Sequence, residues 1–162
     1  MSHVMEGIDA RGYLMGWLHG VTDMFIKDIK AMPEPMLTKQ FGGCARPANE
    51  LVADTLGLLY WTTAALKGEK FELTEDSAAH LAPTLTTHTA IVEAMTKATS
   101  DFKNAFDQAS DETLNKLVTP PWQMDAPLFI LCQIAVNHIW YHDGQLNYIQ
   151  ALEGDGKVHW MD

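Results

Sequence analysis

His138 and His142 stand four residues apart in Asn137-His138-Ile139-Trp140-Tyr141-His142-Asp143-Gly144-Gln145-Leu146-Asn147-Tyr148-Ile149, within the most apolar helical stretch of the chain. One helical turn separates them, so their side chains lie one above the other on a single face and can reach one metal ion together. A second anomaly is Asp54, which falls on the apolar stripe Leu51, Asp54, Leu58, Trp61 and Ala65 of another predicted helix. A carboxylate is rarely buried on such a stripe unless a cation or strong hydrogen bonds hold it. Two imidazoles and one carboxylate suit divalent iron, nickel, manganese or zinc and leave positions open for water or substrate. The chemistry expected of Asp54, His138 and His142 is metal activation of a bound water or substrate. Glu50, one turn before Asp54, and His88, in the seam of a third helix, are reserve ligands. Asp143 or Gln145 is expected to orient an imidazole from behind. The competing arrangement needs no metal: Asp54 pairs with one of the two histidines as a polar core cluster of a non-catalytic bundle.

Four predicted helices must position these groups. Apolar residues Leu14, Leu18, Val21, Phe25 and Met32 repeat with the helical period and place a first helix from about Gly7 to Ala31. Pro33 and Pro35 end it, and a loop containing Gly42 and Gly43 leads to a second helix from about Pro47 to Lys67, before Gly68. The segment 69–83 reads as a solvated connection with a short helical turn. A third helix, from about Thr84 to Ala109, carries the seam Leu85, His88, Val92, Met95, Thr99, Phe102 and Phe106. Ser110 to Gln123, with Pro120 and Pro121, reads as an extended connection, after which Asp125 is expected to cap a helix beginning at Ala126-Pro127. That last helix reaches about Glu153, before Gly154, with the seam Leu128, Leu131, Ala135, His138, His142, Gln145 or Leu146, and Ile149. Trp160 in the tail is expected to fold back on the bundle or enter a subunit contact. The fold class is all-α, a four-helix bundle with long connections, and such bundles build metal sites from inward side chains on facing helices.

The 162 residues fit one domain, large enough to bury a core without disulfides or structural metal. No apolar run approaches the roughly 18 residues of a membrane span, and the first residues show no secretory pattern, so a soluble, cytoplasmic protein is expected. The two cysteines, Cys44 and Cys132, lack a Cys-x-x-Cys spacing and read as reduced thiols. With 21 acidic against 11 basic side chains the net charge is −10, and no Lys/Arg cluster stands out to neutralise phosphates, so nucleic acid is not an expected partner.

The run His138-Ile-Trp-Tyr-His142-Asp-Gly-Gln145-Leu146-x-Tyr148, with the order of elements over nearly the whole chain, resembles the final-helix motif of the DinB/YfiT-like metalloenzyme family. The resemblance implies a four-helix bundle, frequent homodimers, and a divalent metal held by one histidine of the second helix and two of the last. His138 and His142 match the last two. Asp54 stands where the second-helix histidine would, which leaves the metal's identity open among nickel, zinc, iron and manganese. It further implies thiol-dependent transferase, isomerase or hydrolase activity, with a small-molecule thiol as partner.

Overall fold

The computed structural model describes residues 9–71 and 79–161. Four long helices make the bundle: α1 (Ala10–Ala31), α2 (Ala48–Lys67), α3 (His88–Gln108) and α4 (Leu128–Leu152). The expected four-helix architecture is therefore the observed one. Each of α1 and α2 packs against both α3 and α4, so α1 and α2 occupy opposite corners. The chain crosses from one corner to the other through residues 32–47, and this crossing carries the Gly42-Gly43 turn.

Local chemistry sets the helix ends. The Asp9 carboxylate accepts from the Gly12 amide and starts α1, and the Thr87 hydroxyl accepts from Ala90 and starts α3. Pro47 precedes α2, and Gly68 closes it in the left-handed region at φ 70°, a conformation that costs a residue with a Cβ. The start of α1 expected at Gly7 lies outside the described residues. Of the connection after α2, residues 72–78 also lie outside them. Residues 79–81 are helical, and a 3-10 turn at Ala82–Thr84 follows, so the third helix starts four residues later than the periodicity suggested.

Two further expectations change. The connection after α3 is not simply extended: it holds a one-turn helix, Asp111–Asn115, and Leu117–Val118 pairs antiparallel with Ala126–Pro127. Asp125 does not cap α4. Its carboxylate accepts from the Thr119 hydroxyl at 2.7 Å, while Pro127 occupies the cap position and Leu128 begins the helix. The two-strand clip explains this, because it draws Ala126 and Pro127 into extended backbone.

The core runs the length of the bundle through Leu18, Phe25, Leu56, Met95, Phe102 and Ile139, all at most 3% exposed. Helix α2 is buried nearly all round rather than on one stripe. It accommodates three buried threonines because Thr55, Thr62 and Thr63 donate their hydroxyls to the carbonyls of Leu51, Leu58 and Leu59, one turn back. On α3 the buried stripe is Ile91, Met95, Ala98, Phe102, Ala105 and Phe106, which leaves Val92 and Thr99 at its margin. In the tail, Trp160 folds back with its ring 6.4 Å from that of Trp140.

Candidate metal centre

Helix α2 delivers Asp54 and α4 delivers both histidines, the latter from consecutive turns of one face. One ligand atom from each of Asp54, His138 and His142 lies within 4.8 Å of the others. His142 Nε2 is 3.1 Å from His138 Nε2 and 3.2 Å from Asp54 Oδ2. The two rings meet edge to face, centroids 4.3 Å apart. The three residues singled out as candidate ligands therefore lie together.

Burial is graded across the cluster. His142 forms the back wall with its side chain at 0% exposure, His138 is half-buried, and the Asp54 side chain is 36% exposed. The sequence placed Asp54 on an inner stripe, but it sits at the rim. There Arg46, from the loop before α2, donates Nη1 to Asp54 Oδ2 at 2.9 Å. The His142 contact, supported by Arg46, outweighs partial burial and holds the Asp54 carboxyl well below the usual carboxylate range. It is ionised at neutral pH. Burial pushes the His138 imidazole down to about 4, helped by its histidine neighbour, so this ring is neutral at pH 7 and offers a lone pair.

Gln145 sets the direction of the second ring. Its Oε1 lies 2.6 Å from His142 Nδ1, and its Nε2 donates to the Tyr141 hydroxyl at 3.3 Å. A carbonyl oxygen only accepts, so Nδ1 carries a proton and Nε2 is the atom His142 directs toward Asp54 and His138. A cation taking the place of any proton on Nε2 would meet three electron-pair donors at one point. His138 Nδ1 is buried without a hydrogen-bond partner, so it relieves nothing. Ligand atoms held about 2.0–2.1 Å from a metal stand roughly 2.9–3.4 Å apart, depending on the coordination angle, and the two measured separations fall inside that interval. The residues fit a divalent cation.

The other candidates are placed elsewhere. Glu50 contributes no atom to the cluster. His88 sits at the start of α3 with Nε2 2.7 Å from the Met32 carbonyl and Nδ1 3.7 Å from Glu34, which ties α3 to the end of α1. Of the two residues expected behind the imidazoles, Gln145 takes that place. Asp143 turns the other way, into α1, where it meets Asp28; both are at most 2% exposed. Asn147 Nδ2 donates to Asp28 Oδ2 at 2.8 Å and Gln150 Nε2 to the Asp28 carbonyl at 3.0 Å. Burial, then the neighbouring Asp28, pushes the Asp143 carboxyl up to about 8, so the acid pair keeps a proton at pH 7. Sequence reading missed this buried acid pair, although Asp28 three residues after Phe25 lies on the stripe of α1. It also gave Arg46 no role. Cys44 is exposed and Cys132 is buried in α4, where burial pushes its thiol up to about 12.

A cavity of about 170 Å³ adjoins the centre, lined by Cys44, Arg46, Leu51, Gln145 and Tyr148 among others. It shares Arg46 and Gln145 with the cluster's immediate surroundings. A larger cavity of about 380 Å³ lies at the opposite end of α2, by Trp61 and Gly68.

No protein-family model matches the chain, and no curated protein matches it. Among solved structures it is similar to the mycothiol-dependent maleylpyruvate isomerase, with 11% sequence identity and a TM-score of 0.69 over 84% of this chain and 60% of that one. It is similar to a histidine-to-alanine mutant of that isomerase with 11% identity, a TM-score of 0.68 and the same coverage. The chain thus spans about 60% of the length of these neighbours. What it shares with them is the DinB-like helical-bundle fold.

Proposed function

We propose that the protein is a metal-dependent enzyme of the DinB-like kind, with Asp54, His138 and His142 holding one divalent transition metal. The observation that carries this reading is the convergence of His142 Nε2, His138 Nε2 and Asp54 Oδ2 while Gln145 occupies the His142 Nδ1 proton. Nickel, zinc, iron and manganese all accept this donor set. The bound ion would supply Lewis acidity, lowering the pKa of a water or thiol at an open position. The chain's own groups shape access to that position. His142 closes the inner side, and the half-exposed Asp54 and His138 leave the outer side to solvent and to the adjoining cavity. The isomerase of similar fold is mycothiol-dependent, which supports a small thiol as co-substrate and a transferase, isomerase or hydrolase reaction here. Homodimeric assembly belongs to the same proposal: Tyr13, Trp140, Tyr148 and Leu152 expose large apolar side chains on α1 and α4. A monomer in sedimentation at micromolar concentration counts against it.

Metal analysis tests the centre. Protein purified without an affinity tag and offered each of the four metals retains about one equivalent of at least one. Retention of less than about a tenth of an equivalent of every metal removes the enzymatic reading. One observation favours the second reading, a polar cluster without metal: the Arg46 guanidinium already neutralises Asp54. In that case Asp54→Asn changes stability and leaves metal content at zero, and a metal-dependent activity lost in Asp54→Asn rejects it.

A further inference from the structure

The oxygen that faces the histidines is the one Arg46 holds. Asp54 Oδ2 lies 2.9 Å from Arg46 Nη1 and 3.2 Å from His142 Nε2. A cation drawn to the three donors and the Arg46 cation thus compete for one carboxylate oxygen. Among the described residues Arg46 makes no other hydrogen bond, so Nε and the second terminal nitrogen of its fork have no partner there. They belong to a side chain that lines the 170 Å³ cavity beside Leu51, Tyr148 and Ile149. That cavity offers an apolar wall, an amide in Gln145, a phenol in Tyr148 and one full positive charge, in a protein whose net charge is −10. A planar guanidinium with free parallel donors is matched to a carboxylate. The ion pair it makes with Asp54 is partly exposed, 41% and 36% for the two side chains, and pairs of that kind are weak enough to exchange.

We propose that Arg46 is a latch shared by the metal centre and the cavity. It closes on Asp54 while no cation is bound there, and it turns to the carboxylate of a small aliphatic acid in the cavity when a divalent metal takes Asp54. The inference rests on the metal-centre reading and adds the substrate class, a small carboxylic acid. By linkage the two ligands favour each other: a carboxylate that draws Arg46 away from Asp54 strengthens metal binding, and the metal strengthens carboxylate binding by the same factor. Arg46 acts here as a positioning and specificity residue. Its charge also keeps the rim closed to cations until an anion arrives.

The test measures metal affinity by calorimetry on the full chain, for wild type and Arg46→Gln, with and without propionate as the probe. Circular dichroism confirms that the exposed loop substitution leaves the helices intact. The latch predicts that Arg46→Gln binds zinc or nickel about tenfold tighter than wild type, having lost a neighbouring cation and a competitor for Oδ2. It predicts further that propionate tightens metal binding severalfold in wild type and leaves Arg46→Gln unchanged. Equal affinities in the two proteins, or a propionate effect of the same size in both, overturn the latch and leave the metal centre standing. Failure of both proteins to bind metal, with or without propionate, overturns the metal centre and the latch together.

Discussion

At the scale of single residues, the centre depends on which groups face the donors and which stand behind them. Gln145 stands behind His142, and replacing it by leucine removes the acceptor that holds the Nδ1 proton. Loss of such a partner typically weakens metal affinity by about 10- to 100-fold, and Gln145→Leu is expected to do so in competition with a chelator while the ligands themselves remain. An unchanged affinity would show that Gln145 does not set the ring. Asp143 makes a different prediction because it faces Asp28 instead of the centre. Its carboxyl is raised from the free-chain value of 3.8 to about 8, so the folded protein keeps a proton that the unfolded chain releases. Stability from that proton is complete below pH 3.8 and is lost as pH rises through about 8. Metal-free protein should therefore lose stability to urea as pH rises from about 6 to about 8, and Asp143→Asn, which mimics the protonated acid, should lose less. The His138 contribution has the opposite sign, since its lowered value confers stability that falls away as pH drops below the ordinary histidine range, and it is common to both proteins. Equal pH slopes for the two proteins would contradict a protonated Asp143.

At the scale of elements, the helices hold the centre by packing two corners of the bundle against each other. Phe102 on α3 is fully buried with its ring 6.2 Å from Phe106. Phe102→Ala should cost about 3–5 kcal/mol in urea unfolding, whereas a cost under about 1 kcal/mol would mean that this part of the core collapses or is loosely packed. The elements were also what the sequence carried best. Helix α2 was bounded within a residue because Pro47 and Gly68 act locally, through a fixed φ and a left-handed stop. The start of α3 was read too early because Leu85 continues the apolar period across a 3-10 turn, and period alone does not separate the two. The fate of Asp125 depended on a strand pairing seven or more residues away, and the pairing of Asp143 with Asp28 on a neighbour 115 positions back. Neither long-range contact leaves a local mark. For the centre, spacing on α4 gave the histidines and an out-of-place carboxylate gave Asp54, while Arg46 lay in a loop without periodicity. Its proximity to Asp54 comes from how the crossing segment enters α2.

At the scale of the whole molecule, no helix among the described residues is long and apolar enough to cross a membrane. The bundle presents a strongly acidic surface with one donor cluster at a rim, beside a small cavity holding a guanidinium. Binding of a metal to the folded chain alone should raise its stability by about 2.7 kcal/mol at a free concentration about 100 times the dissociation constant, read as a higher melting temperature. The most direct measurement is anomalous diffraction at the absorption edge of the retained metal, from crystals of native protein. One strong peak is expected about 2.0–2.2 Å from Asp54 Oδ2 and from Nε2 of both His138 and His142. Crystals of metal-supplied protein with no peak there, or with the three side chains turned outward from a common point, would contradict the metal centre.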